Sequence, residues 1–416
     1  MSDKITIFTI SDHPLSPSGV GTQTKYIIEG MLKTGKYRFV SFGGAIKHDQ
    51  HQPQKTEQWG EDWVIWPVDG YGNEDQVRAM VQQQKPDILW FMTDPRFYSF
   101  LWSIENEIRA NVPMVYYHVW DNYPYPQFNR PWYLSNDHVA CISKLTHDIL
   151  QTVAPEVDSS YIPHAVDENI FKPADPNLIS SFREQRGLTD KFVCFWNNRN
   201  ARRKQSGTLI WWFKEFLDKV GHDKASLIMH TDTKDVHGQD LEAIIHELGL
   251  TNGEVLFSRD KVSPHDLAMV YNAADLTINI SDAEGFGLAT LESLSSGTPI
   301  LVNMTGGLQD QITDGETCFG IGLEPTSKAI IGSQQVPYIY EDRLNKEDFL
   351  EALTKLYEMT PEDRSSLGAA GREWTQKQFN FDDFINKWDV LFTEIYNEKG
   401  SWEDRRGYRR YETREL

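Results

Sequence analysis

The sequence predicts an α/β protein built from two doubly wound domains, on three observations. Short β-branched apolar runs alternate with amphipathic stretches along most of the chain. A glycine-containing loop joins the first apolar run to the first amphipathic one, the opening unit of a doubly wound sheet. Finally, Pro173 and Pro176 separate two such alternations. A length of 416 residues suits roughly two to three domains.

The first domain opens with a strand over 5–10. It stops at Ser11-Asp12-His13-Pro14, and a loop through Ser18-Gly19-Val20-Gly21 leads into the periodic run Tyr26, Ile27, Met31. Further strands are expected at 39–42, 63–67, 88–92, 114–118 and 138–142, with helices such as 74–84 and 145–151 between them. The second alternation places strands at 192–196, 226–230, 255–257, 276–280 and 299–302. Its helices are expected around 210–220, 241–248, 267–272 and 288–296. Two sheets of similar size joined by a proline-marked linker imply a ligand-holding cleft.

Composition narrows the function. Hydrophobic residues make up 39% and charged residues 25%, a core-forming balance. No run of about 18 apolar residues occurs, so no spanning helix and no stable membrane association are expected. The start carries Asp3 and lacks a basic lead, which argues against a secretory signal. Cys141, Cys194 and Cys318 are too few and scattered for a disulfide framework or a zinc site, which points to a cytoplasmic location (host cytoplasm if the source is viral). A net charge of −20 disfavours whole-molecule attraction to DNA or lipid. Local basic clusters remain at 199–204 and 405–414.

The stretch Ser281 to Ser293 is the most informative. It follows a strand, holds Glu284-Gly285-Phe286-Gly287, and runs into a helix with Leu288, Leu291 and Leu294 on one face. The glycines allow close backbone approach, and the first helical turn offers partial positive charge to an anion such as diphosphate. Glu284 in the loop and Glu292 down the helix are candidate acceptors for sugar hydroxyls. No Asp has another Asp two places later, so the divalent-ion triplet of many sugar-transferring enzymes is missing; no metal site and no cofactor are expected.

These residues, in a longer string, resemble the family 4 retaining glycosyltransferases of the GT-B fold. The string is Tyr271-Asn272-Ala273-Ala274-Asp275-Leu276, Glu284-Gly285-Phe286-Gly287 with Glu292, Ser296-Gly297-Thr298-Pro299, Gly306-Gly307 and Asp314-Gly315. Ile162 to Asp167 resembles the family's linker and Phe381 to Tyr396 its closing helix. The resemblance implies two Rossmann-like domains facing across a cleft, with the last helix crossing back to the first. An acceptor-side domain at 1–168, a nucleotide-sugar domain at 169–378 and a crossover helix with basic tail at 379–416 are expected.

Carried over residue by residue, the resemblance implies that Glu284 contacts the donor sugar and Glu292 the nucleotide ribose. The backbone of Gly285, Phe286, Gly287 and Leu288 would surround sugar and diphosphate. Arg199 and Lys204 fall where the family has its diphosphate-neutralising pair, whereas Arg202 and Arg203 read as surface residues, either of them within reach of an acceptor. Gly19 and Gly21 match the family's donor-phosphate loop, with Ser18 in place of its first glycine. His118 matches the active-site histidine, which implies polar contact with the transferred sugar or orientation of the acceptor rather than a general base, and the catalytic set is then His118, Arg199, Lys204 and Glu284. Asp121, Tyr123 and Tyr125, in a proline-stiffened aromatic loop, are placed in the acceptor wall.

The expected reaction moves a hexose or pentose from a UDP-, GDP- or ADP-linked sugar to an acceptor hydroxyl, with retention and without a metal. A soluble sugar, polyol or glycan suits the acidic character best. Modified DNA is the rival acceptor, as in phage-type glucosylating or arabinosylating enzymes of the same architecture, because Arg405 to Tyr411 interleaves cations with aromatics. A non-catalytic nucleotide-sugar-binding protein and a GT-B epimerase stay open, and the donor sugar, the base and the oligomeric state are not read from the sequence.

Overall fold

The computed structural model describes residues 4–49 and 52–410; Asp3, Tyr411 and Arg414, named above, lie outside them. The chain divides into two compact units, one of residues 1–120, 125–164 and 382–416 and the other of residues 121–124 and 165–381.

The first unit holds an eight-stranded sheet. Its strands are β1 (Ile5–Asp12), β2 (Tyr37–Gly44), β3 (Gln54–Lys55), β4 (Trp63–Pro67), β5 (Ile88–Met92), β6 (Met114–His118), β7 (His138–Cys141) and β8 (Ser159–Tyr161). They lie in the order β3-β4-β2-β1-β5-β6-β7-β8, and only the short edge strand β3 runs antiparallel. The run ILWFM of β5 is buried throughout, as a strand covered on both faces requires.

The second unit carries β9 (Phe192–Asn197), β10 (Ala225–His230), β11 (Val255–Ser258), β12 (Leu276–Asn279), β13 (Ile300–Asn303) and β14 (Gly320–Leu323). Their order is β11-β10-β9-β12-β13-β14, parallel throughout. A separate antiparallel hairpin pairs β15 (Ser327–Ile331) with β16 (Ile339–Arg343). Both units are therefore the doubly wound α/β type expected from the alternation. The periodicity did not reveal β3, β8, β14 or the hairpin, which are short or lack an apolar run.

The closing helix Phe381–Lys399 joins the first unit through its apolar face. Trp388 meets Trp90 and Tyr117 edge-on, with ring centroids 5.8 and 4.8 Å apart. Gly30 lets the helix come close, since a Cβ there would collide with Ile385. Tyr37 fixes the register by donating its hydroxyl to Asp389 Oδ1 at 2.7 Å.

The described part of the basic tail is clasped to this unit through Trp402, Arg405 and Tyr408, with Arg406, Arg409 and Arg410 exposed. Trp402 donates its indole N–H to the Pro86 carbonyl at 3.0 Å. Arg405, 4% exposed at the side chain, binds Asp137 Oδ1 at 2.5 Å and the Arg109 carbonyl at 2.8 Å. Arg109 binds the other Asp137 oxygen at 3.1 Å and lies over the Tyr408 ring. Arg405→Ala leaves a buried carboxylate short of a partner, and loss of about 3 kcal/mol is expected in urea unfolding. Arg409→Ala, at an exposed position, should leave the transition in place.

Candidate active site

In the second sheet the chain winds outward from β9 through β10 to β11, and from β12 through β13 to β14 on the other side. β9 and β12 are neighbours, so the loops leaving their carboxyl ends diverge and open a crevice at the switch point. Those two loops, 198–205 and 280–287, carry the basic cluster and the glutamate–glycine motif.

The basic loop ends in one 3-10 turn, Arg202–Lys204, followed by Gln205 at φ 56. A turn this tight fans successive side chains in different directions. Lys204 goes inward and binds Glu284, with the two side chains 9% and 11% exposed. Arg203 donates to the Ala283 carbonyl and stands 3.5 Å from Asp121. Arg202 makes a two-point bond to Glu341, at 2.9 and 2.7 Å.

Arg199 departs from its expected place. Its guanidinium is held by Asp235 at 2.6 and 3.1 Å and is 60% exposed, so it is not gathered with Lys204 and Glu284. Arg203, read from the sequence as a surface residue, is the cation beside them. Run position alone cannot distinguish three consecutive cations; the turn does.

Burial pushes the Glu284 carboxyl up, but Lys204, Arg203 and Asn279 outweigh it and hold it below the ordinary carboxylate value. Burial and the neighbouring Arg203 pull the Lys204 ammonium down. The glutamate loop is fixed from behind by glycines and an amide. Gly307 donates its N–H to the Glu284 carbonyl at 3.0 Å, and a side chain at Gly306, φ +53, would strike that same carbonyl. Gln311 donates to the carbonyls of Phe286 at 2.7 Å and Gly287 at 3.0 Å. The Phe286 ring is buried edge-on against Phe379. Gly287, at φ +91, turns the chain into the helix Leu288–Ser295.

Glu292 sits on that helix and accepts from the Tyr271 hydroxyl at 2.7 Å, while Tyr271 accepts from Asn197 at 2.8 Å. Burial raises its pKa to about 7, against the Tyr271 bond.

In the first unit, Gly19 begins the helix Gly19–Lys33. Ser18 is its N-cap, accepting from the Gly21 amide at 2.9 Å and donating to Asp12 at 2.6 Å. A Cβ at Gly21 would strike the His13 carbonyl and Ser16. The serine that replaces the family's first glycine thus serves as a cap, and Asp12, which also accepts from Tyr71 at 2.8 Å, is a polar group the sequence reading passed over.

His118 ends β6. It is fully buried, and both ring nitrogens are engaged, with the Thr146 carbonyl at 3.2 Å and the Tyr133 hydroxyl at 2.8 Å. Burial lowers its pKa to about 3, so it is a neutral packing group in this state. Of the expected acceptor wall, Asp121 and Tyr123 belong to the second unit and Tyr125 to the first.

Residues 181–374 match the family model for glycosyl transferases group 1. The second unit is a group 1 glycosyl transferase domain. Curated relatives of the domain include mannosylfructose-phosphate synthase of Agrobacterium fabrum, 28% identical over 44% of this chain and 40% of its own length. D-inositol 3-phosphate glycosyltransferase of Corynebacterium jeikeium is 28% identical over 38% of each chain. The matches thus span about 40% of these relatives. Solved GT-B structures share the fold of nearly the whole chain. Sucrose-phosphate synthase of Thermosynechococcus elongatus superposes with TM-score 0.74 at 17% identity, covering 95% of this chain and all of that one. An Anabaena protein solved with UDP and glucose superposes at 0.70 and 16%, covering 94% and 100%.

The raised Glu292 carboxyl has a measurable consequence. Its folded pKa, about 7, exceeds the ordinary 4.5, so the folded group binds more protons between those values. Stability from this group is present below pH 4.5 and is lost as pH rises through 7. Glu292→Gln removes that slope, and urea unfolding from pH 5 to 8 should show wild type losing about 2 kcal/mol relative to the variant. Parallel curves would refute the assignment.

Proposed function

We propose that the chain is a retaining glycosyltransferase that moves a sugar from a nucleotide-diphosphate sugar to an acceptor hydroxyl. The observation that carries this reading is the buried Lys204–Glu284 pair at the switch point, backed by Arg203 and followed by a helix that starts behind two glycines.

Each group suits one part of such a donor. Lys204 and Arg203 face the growing negative charge of the leaving diphosphate, where fixed cations in a site of restricted water lower the barrier most. The amino end of the helix Leu288–Ser295 adds partial positive charge to the same anion. Glu284 accepts from the hydroxyls of the transferred sugar, and Glu292 from those of the ribose. As the glycosidic bond breaks, the sugar gains oxocarbenium character. The acceptor oxygen then attacks from the face the nucleotide leaves, and a phosphate oxygen takes its proton. His118 has no proton-transfer role here. The Gly19 loop and Asp12 are assigned to polar contacts of the first unit.

A soluble sugar or polyol is the proposed acceptor. The names of two relatives, mannosylfructose-phosphate synthase and D-inositol 3-phosphate glycosyltransferase, refer to phosphorylated sugars and polyols, while two others, alpha-monoglucosyldiacylglycerol synthase and a phosphatidylinositol monomannoside mannosyltransferase, make a lipid acceptor the rival in the same test. Of the tail cations that favoured the DNA reading, Arg405 is committed to Asp137, and Arg406, Arg409 and Arg410 stay exposed.

The test is release of free nucleotide from UDP-, GDP- and ADP-sugars with and without a panel of sugar, polyol and lipid acceptors. Lys204→Ala should lower turnover by about 100- to 1,000-fold. Arg203→Ala should cost more than Arg199→Ala, whose guanidinium is already satisfied by Asp235. The reverse order would return the diphosphate to Arg199.

A further inference from the structure

Four consecutive residues of β16 each fasten a different segment around Lys204 and Glu284. The Tyr340 amide donates to the Tyr123 carbonyl at 2.7 Å and ties in residues 121–124. Glu341 holds Arg202, two places before Lys204. Asp342 accepts from the Thr305 hydroxyl at 2.7 Å, beside Gly306, and its amide donates to the Asp282 carbonyl at 3.0 Å. Arg343 binds the Asp282 carboxylate, two places before Glu284, and also Glu341 at 3.3 Å.

The alternation of a strand explains how one short element does this. Glu341 and Arg343 project to one face and Asp342 to the other. On the first face, Arg202, Glu341, Arg343 and Asp282 form a row of alternating charge, in which both carboxylate side chains are 4% exposed. Desolvated ions of this kind tolerate few arrangements, because removing one leaves its neighbour uncompensated. The row therefore selects a geometry more than it adds stability. The two loops it joins are those that bring Lys204 to Glu284.

We propose that β16 is the positioning element of the site: Glu341, Asp342 and Arg343 set where Lys204 and Glu284 stand, without touching the substrate. What the site binds rests on the glycosyl-transfer reading; the mechanical link does not. The hairpin then acts as a brace, and the segment bearing Tyr123 is held to the same strand as the donor loops.

The test compares the full-length wild type with Arg343→Ala, Arg343→Lys and Glu341→Gln. UDP, GDP and ADP are titrated by calorimetry, and hydrogen exchange is followed in residues 282–288 and 192–197. Arg343→Ala should weaken the nucleotide that wild type binds by about tenfold or more and speed exchange in 282–288 by a similar factor. Exchange in 192–197 should be unchanged. Arg343→Lys, which keeps the charge, should recover most of both losses, and Glu341→Gln, near-identical in shape, should show the affinity loss with a wild-type far-ultraviolet spectrum. Affinity within about twofold of wild type in Arg343→Ala and Glu341→Gln overturns the proposal, as does no recovery in Arg343→Lys. Should wild type bind none of the three nucleotides, the glycosyl-transfer reading fails, and exchange in 282–288 alone decides the role of β16.

Discussion

A lysine and a glutamate held together out of water at a sheet's switch point form the constraint around which the second unit is arranged. Such a pair is tolerated only where its remaining bonding capacity is met and its geometry is held. Asn279 and the Arg203 charge supply the first condition for Glu284. The second is met by Gly306 and Gly307 packed against the loop, and by Gln311 gripping the next two carbonyls. Arg202–Glu341 and Arg343–Asp282 fasten the loops from the other side.

The first unit shows the same economy of charge in a different service. Asp137 collects Arg109 and Arg405, and through them the end of the chain is built into the sheet's flank. The closing helix adds Trp388 against Trp90 and Tyr117. A histidine at a strand's carboxyl end, which invites a catalytic reading, is a buried neutral group between a carbonyl and a hydroxyl. Residue type and sequence position fit a reactive group equally well; burial and engaged ring nitrogens separate the two cases.

Much of the fold was legible. The runs at 63–67, 88–92 and 114–118 are strands with those bounds, because each is a continuous apolar stretch flanked by breakers. The hairpin was not, since Ser327–Ile331 and Ile339–Arg343 carry exposed and charged residues and follow no apolar run. Within the site, the resemblance assigned Lys204 and Glu284 to one donor site, but their direct pairing across 80 residues was not anticipated. Nor could the exchange of Arg199 for Arg203 be, because it depends on a 3-10 turn and on an aspartate 36 residues away.

The sequence alone determined the two alternations, the break between them and the glutamate–glycine loop, because hydrophobic period and backbone freedom are properties of short segments. Tertiary structure decided which cations gather, that the tail is a clasp, that His118 is packing, and that a hairpin braces the site. Those outcomes turn on partners far apart in the chain. Asp282 and Arg343 lie 61 residues apart and Asp137 and Arg405 lie 268 apart, and no local pattern records which charges burial will bring together.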